Sequence, residues 1–167
     1  ERLANIMKIG IISDSHDHIE NIKKSIKIFK DRKVDFVLHL GDYVNPASVK
    51  AFKGIKFTGI FGNNDGDKFR LINAFNEIGG EIKGDFCEIE IDNIKFACYH
   101  GTEKELKDAL IACGKYDVVV YGHTHECENK KTGNTLVLNP GTAHGFWDKA
   151  TIIVFDTQTR KSEFIEL

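Results

Sequence analysis

The chain has 167 residues, with 23 Lys and Arg against 25 Asp and Glu, a net charge of −2 and 41% hydrophobic residues. That length fits one domain able to bury a substantial core, and the near-balance of charge gives no electrostatic case for a nucleic-acid or membrane partner. The longest apolar runs, IGII, FVLHL and DVVVY, fall far short of the roughly 18 residues a membrane span needs. Nothing at the start reads as a signal peptide, so a cytoplasmic location is expected.

Met7 is the only methionine and opens MKIGIISDSH, a strand-first start. The domain is therefore expected to run over 7–167, with 1–6 a non-native leader or a disordered start. Residues 8–13 are nearly continuously apolar, as a strand covered on both faces should be. Ile19, Ile22, Ile26 and Phe29 then step by three, four and three residues and predict a helix with one apolar stripe. Residues 35–40 and 56–61 are the next buried strands. Leu71, Ile72, Phe75 and Ile78 return to helical spacing over 67–78, and Gly79-Gly80 stops that helix.

FCEIEI-DN-IKFACY over 86–99 predicts a hairpin turning at Asp92-Asn93, with Cys87, Ile89, Ile91, Ile94, Phe96 and Cys98 on the core face. Pairing 91 with 94 sets Cys87 opposite Cys98. Counted outward from the turn this is a hydrogen-bonded pair, whose wider separation suits a disulfide less well, and in a reducing compartment both are expected as free, buried thiols. Cys87, Cys98, Cys113 and Cys127 show no CxxC spacing, which argues against a zinc ribbon. Thr102-x-x-Glu105 reads as a capping box for a helix carrying Leu106, Ala109 and Leu110, ended by Gly114. Strands follow at 117–121, 135–138, 150–155 and 161–165, while 43–53, 126–134 and 142–149 read as loops. Alternating strands and helices, then a run of strands, are accommodated by two packed sheets flanked by helices.

The chemistry-bearing residues gather where strands end: SDSHDH (13–18), LGDYVN (40–45), FGNND (61–65), YHG (99–101) and YGHTHE (121–126). In α/β sheets that carboxyl edge is where ligands bind. In Asp14-x-His16 and His123-x-His125 the two-residue step would, in extended backbone, send both side chains to one side. Imidazole, carboxylate and amide oxygen together suit Zn, Fe, Mn, Co or Ni, and the lack of cysteine ligands disfavours a structural thiolate zinc. Taken singly, each motif is more often a turn or a cap. His39, mid-strand in VLHL, reads as a core residue satisfied by hydrogen bonds, and His18 as a helix cap.

In combination, Asp14-Ser-His16, Gly41-Asp42, Gly62-Asn63-Asn64-Asp65, His100-Gly101 and Gly122-His123-Thr124-His125 resemble the calcineurin-like metallophosphoesterase superfamily in motif content and order. The short length, the GNxD and the NPG at 139–141 are similar to its small YfcE/Vps29-like branch. That resemblance implies a four-layer αββα sandwich of two mixed β-sheets, and a metal-dependent phosphodiesterase acting through a hydroxide that bridges two divalent ions. It implies that Asp14, His16 and His125 hold one ion, Asn63, His100 and His123 the other, and that Asp42 bridges them. Two ions about 3.5–4 Å apart would activate water and clamp the oxygens of an in-line displacement at phosphorus. The alternatives are a Vps29-like protein-binding scaffold without catalysis, or a phosphomonoesterase using the same site. The intact ligand set favours catalysis.

Asn64 stands where the superfamily motif GNH[DE] has a histidine. An amide can donate to a phosphoryl oxygen but cannot deliver a proton near neutrality, so activated substrates such as aryl phosphodiesters are expected. His144, in TAHGFWDK, is a candidate substrate-binding substitute, although an exposed loop histidine is the commoner outcome for such a position. Phe146 and Trp147 beside it suit either an apolar wall for the substrate's organic group or a homodimer contact.

Overall fold

The structure, a computed structural model, describes residues 6–167. Of the expected leader only Ile6 falls among them, and it is exposed; 1–5 lie outside the described residues. The elements run β1 (Lys8–Ile12), α1 (Ile19–Asp31), β2 (Phe36–His39), α2 (Pro46–Lys50), β3 (Phe57–Gly59), α3 (Lys68–Ile78), β4 (Glu81–Ile82), β5 (Phe86–Ile91), β6 (Ile94–Tyr99), α4 (Lys104–Ala112), β7 (Val118–Val120), β8 (Cys127–Thr132), β9 (Thr135–Pro140), β10 (Thr151–Asp156) and β11 (Ser162–Glu166).

These strands form a sheet ordered β11-β10-β1-β2-β3-β4 and a second ordered β5-β6-β7-β9-β8. In the first, β1 to β4 run parallel, and in the second β6, β7 and β9 do. The continuous apolar runs follow from both faces being covered. Ile9 and Ile11 of β1 and Val118 and Val120 of β7 meet in the core between the sheets. Ile12, Val37, Phe57 and Ile152 turn the other way, under Ile22 and Phe29 of α1, Val49 of α2 and Leu71 and Phe75 of α3. Ala97 and Val119 pack beneath Leu110 and Ile111 of α4. The result is the expected four-layer αββα sandwich, and no helix among the described residues is long and apolar enough to cross a membrane.

Local signals explain most element ends. His18 caps α1 by accepting the Asn21 amide at 3.2 Å. Asp67 caps α3, and left-handed Gly79 ends it. Asp92 and Asn93 both take positive φ, as a tight two-residue hairpin turn requires, and the turn sets Cys87 opposite Cys98 as free, buried thiols.

Three expectations change. The Thr102–Glu105 capping box does not form: Glu103 takes the N-cap with no side-chain cap bond, and its amide is met instead by the Tyr99 hydroxyl at 3.0 Å. Residues 126–134, expected as a loop, contain β8, a polar edge strand whose sequence CENKKT shows no alternation because both faces are largely exposed. The loop at 43–53 contains α2, a single turn started by Pro46 at its first position.

His39 is fully buried in β2. Its Nδ1 accepts the Gly41 amide at 3.2 Å, which leaves the Nε2 proton for the Ser15 hydroxyl at 2.9 Å. Burial pushes its pKa down to about 3, below the ordinary value of about 6.5. The folded state thus keeps His39 neutral where the unfolded chain takes up a proton. The associated stability is present above about pH 6.5 and is lost as pH falls toward 3, at about 1.4 kcal/mol per pH unit. In chelator-treated protein, His39→Leu is expected to reduce proton uptake on unfolding between pH 6 and 4 by about one proton, measured as the slope of unfolding free energy against pH. An unchanged slope would show that His39 does not carry it.

Candidate metal centre

The carboxyl ends of β1, β2 and β3 and of β6 and β7 meet at one edge of the sandwich. The loops leaving them carry Asp14 and His16, Asp42, Asn63, His100, and His123 and His125. At its centre stand two carboxylates, Asp14 and Asp42, at 0% and 1% exposure. Asp14 Oδ1 lies 3.1 Å from His125 Nε2, 3.7 Å from His16 Nε2 and 3.9 Å from His100 Nε2. Asp42 Oδ2 lies 3.2 Å from His16 Nε2 and 3.5 Å from His100 Nε2. Beside them His123 Nδ1 meets Asn63 Oδ1 at 2.9 Å. All seven motif residues are therefore drawn into one cluster.

The backbone achieves this differently from the extended step the sequence suggests. Asp14, His16, Asp42, His123 and His125 all have φ between 39° and 66°, in the left-handed region. Asp and His tolerate that region better than most residues, at roughly 1–3 kcal/mol each. Each loop curls back over its strand end, and the side chains converge because the chain turns rather than alternates. Surrounding bonds hold the curls in place. Asp14 N donates to Gly41 O and His16 N to Asp42 O, each at 3.0 Å. Two glycines permit the closest approaches: a Cβ on Gly62 would stand 2.1 Å from Asp42 Oδ1, and one on Gly122 would stand 2.0 Å from Ser13 Oγ and 2.7 Å from Asp14 Oδ2.

Supporting groups complete the geometry. Asp65 accepts the amides of Asp42, Val44 and Gly62 at 2.8, 2.9 and 2.8 Å, stitching the loop after β2 to the loop after β3. Burial raises its pKa even so. Its place in GNND marked it as a motif residue, although its role could be seen only once the two loops were adjacent. Ser13 donates to Asp14 Oδ2 at 2.6 Å. Asn139 fixes the last strand end by donating to Gly122 O and Thr124 Oγ1 at 3.0 Å each. Asn64 gives both its amides to Asp42, backbone N to Oδ1 and Nδ2 to Oδ2, each at 2.8 Å. Its side chain thus gives one of its two Nδ2–H donors to a carboxylate, and the other stays on an exposed residue.

His144 differs from the commoner expectation of an exposed loop residue. It is 2% exposed, and its ring stands edge-on to His16 and His125 with centroids 4.8 Å from each. The loop is held down because His144 N donates to Asp14 O at 3.1 Å and Asn21 Nδ2 donates to Ala143 O at 2.9 Å. Phe146 and Trp147, in contrast, are 55% and 85% exposed, beside the site.

The electrostatics point to a cation. Burial alone would raise the Asp14 and Asp42 carboxyls, but contacts with His125 and His16 for the first and with His100 and His16 for the second hold both well below the carboxylate range. The same carboxylates raise His16 to about 9. Burial opposes the rise at His100, but the Asp42 contact and the Asp14 charge still lift it above its ordinary value. Burial lowers His123, and it lowers His144 to about 4 with help from His16 and His125. The buried Nε2 atoms of His16 and His100 have no hydrogen bond. Two buried anions ringed by unpartnered imidazole nitrogens fit divalent metal better than any arrangement of protons.

Residues 7–160 match the calcineurin-like phosphoesterase superfamily domain. The chain is 42% identical over 165 residues to a phosphodiesterase of Methanocaldococcus jannaschii, covering 96% of this chain and 98% of that protein. A solved archaeal phosphodiesterase superposes with a TM-score of 0.92 at 40% identity, covering 96% of this chain and all of the other. The phosphoesterase Yfce of E. coli, at 16% identity and a TM-score of 0.71 over 95% of this chain and 98% of its own, shares the fold. So does a Zn-complexed Vps29 of Entamoeba histolytica, at 17% identity and a TM-score of 0.62 over 96% of this chain and 98% of its own.

Gly122→Ala tests the close approach at Asp14. The added methyl must displace Ser13 or Asp14, so bound manganese, measured by elemental analysis after gel filtration, is expected to weaken by about tenfold or more, about 1.4 kcal/mol. The far-ultraviolet circular dichroism should not change. Undiminished manganese binding would mean that the glycine is not needed there.

Proposed function

Because the chain belongs to the calcineurin-like phosphoesterase superfamily, a family of hydrolases, we propose that it is a metal-dependent phosphodiesterase working on small phosphodiesters. In this reading Asp14, His16 and His125 would hold one divalent ion and Asn63, His100 and His123 a second, with the Asp42 carboxylate available to both. The observation that carries the proposal is the pair of buried carboxylates, Asp14 and Asp42, each within 4 Å of two or more histidine nitrogens. The 42% identical M. jannaschii protein, named a phosphodiesterase, supports the diester class. The donor set suits Mn, Ni, Co, Zn or Fe. When bound, such ions lower the pKa of water and offset charge developing on a phosphoryl group.

The chain's own residues divide the remaining work. His100 Nδ1 donates to Leu40 O at 2.6 Å, which fixes the tautomer and leaves the Nε2 lone pair facing the carboxylates as a ligand requires. Asn64 clamps Asp42 through both amides and so positions the group between the two ligand sets. It supplies no proton to a leaving group, and catalysis is therefore expected to favour esters whose leaving group departs as a stable anion. Phe146, its ring centroid 4.4 Å from that of His144, and Trp147 beyond it offer an exposed aromatic wall for an aryl group. The scaffold alternative, suggested by the Vps29 fold likeness, has no comparable support, since all seven ligand positions, Asp14, His16, Asp42, Asn63, His100, His123 and His125, keep competent residues.

Chelation is expected to abolish hydrolysis of an aryl phosphodiester, and add-back of Mn, Ni or Co to restore it with the diester cleaved faster than the matching monoester. Activity that survives chelation, or fails to return with any metal, would overturn the reading. His123→Ala is expected to remove one ion from elemental analysis and to lower turnover by about 10²-fold or more, because catalysis needs both ions placed.

Asn64→His is expected to accelerate alkyl diesters, which need a proton on the leaving oxygen, more than activated aryl diesters. Equal effects on both classes in parallel rate measurements would refute the leaving-group argument.

A further inference from the structure

His144 lies within the cluster that could hold metal: one ring nitrogen each from His16, His125 and His144 fall within 4.8 Å of one another. Its hydrogen bonding assigns it another task. His144 Nδ1 accepts the backbone N–H of Phe146 at 2.9 Å. A backbone amide can only donate, so Nδ1 carries no proton and the neutral ring keeps its proton on Nε2. Ligation through Nε2 would move that proton to Nδ1, directly against the Phe146 N–H. Protonating the whole ring would create the same clash.

His39 and His100 calibrate this logic. In His39, Nδ1 likewise accepts an amide, from Gly41, and the Nε2 proton reaches Ser15 Oγ. In His100 the arrangement is reversed: Nδ1 donates to Leu40 O and the Nε2 lone pair is free. His144 has the tautomer of His39 but no Ser15. Its Nε2 is buried without any hydrogen-bond partner, although an orphaned buried donor costs about 1–3 kcal/mol. It is also rigid, with the backbone amide of His144 bonded to Asp14 O and Thr142 Oγ1.

We propose that His144 is not a metal ligand but the neutral hydrogen-bond donor of the site, holding a non-bridging phosphoryl oxygen of the bound ester through Nε2–H. This rests on the phosphoesterase reading and deepens it. Asn64 replaces the motif histidine and commits one Nδ2–H to Asp42, and His144 approaches from the loop after β9 to supply a further, imidazole donor to the site. A donor needs no protonation change to act, so it stabilises charge on the phosphoryl oxygens and leaves protonation of the leaving group unassisted.

The test uses manganese-loaded protein with His144→Phe, which keeps a flat ring but no donor, and His144→Gln, which restores an N–H. Manganese per chain is counted by elemental analysis, inorganic phosphate binding is measured by calorimetry, and kcat and KM are taken on an aryl phosphodiester. His144→Phe is expected to retain the wild-type manganese count, to weaken phosphate binding by about tenfold (about 1.4 kcal/mol), and to lower kcat by about 10²-fold, as loss of one oxyanion donor does. His144→Gln should recover part of both losses. A long-range proton–nitrogen spectrum of protein loaded with diamagnetic zinc in place of manganese should show the proton of His144 on Nε2.

Loss of manganese in both variants would make His144 a ligand and overturn the proposal. Wild-type phosphate affinity and kcat in His144→Phe, or a proton found on Nδ1, would overturn it equally. Failure of the wild type to hydrolyse any phosphodiester would instead sink the phosphodiesterase reading, while the manganese count, phosphate affinity and tautomer would still judge His144.

Discussion

Two carboxylates, Asp14 and Asp42, are buried side by side at the seam of two sheets, and the rest of the site is arranged around the difficulty this creates. Buried like charges repel, and each loses its hydration, so an unassisted pair would take up a proton. Here both stay strongly acidic because imidazoles surround them and amides bond to their oxygens: Ser13 Oγ and His123 N on Asp14, and both amides of Asn64 on Asp42. The resulting concentration of negative charge is what a divalent ion would find favourable. It also explains why His16 is so basic without one.

That constraint reaches into the backbone. Left-handed turns at five of the motif residues, and glycines where the loop after β2 touches the loop after β3 and where the loop after β7 touches Asp14, are unfavourable locally. They persist because the parallel strands beneath are covered on both faces and cannot shift. Asp65 shows how the scaffold transmits its rigidity. By accepting three amides from two loops, it ties the Asp42 turn to the Gly62 turn through the backbone. Strain at the edge is thereby tolerated by a core of fully buried Ile, Val and Phe.

How much of this was legible depended on whether the cause was local. The strands at Ile9 to Ile12 and Val118 to Val120 announced themselves by unbroken apolar runs, and α1 and α3 by periodicity and caps, because those signals are carried within a few residues. The edge strand β8 left no trace, since a strand exposed on both faces has no reason to alternate. Thr102 and Glu105 had the right spacing for a capping box, but Tyr99, four residues before Glu103, met the amide at the helix start. The motif residues were all legible as a set through resemblance to the superfamily. Their means of convergence was not, because left-handed curls are dictated by contacts between loops far apart in sequence.

The histidines take that distinction one step further. What an imidazole can do here is decided by what its Nδ1 meets. His100 has a carbonyl sixty residues away in sequence, and no inspection of YHG could reveal it. His39 and His144 each meet the amide two residues ahead, of Gly41 and of Phe146. In this local turn the ring nitrogen plays the part an Asx side chain plays in its own turn. A histidine whose Nδ1 closes such a turn is committed to presenting Nε2–H, and is thereby withdrawn from metal ligation while that turn is kept. In a chain where five of seven histidines crowd one edge, proximity alone makes all five look like ligands, and under the proposed assignment the i+2 amide is what would set the donor apart from the ligands.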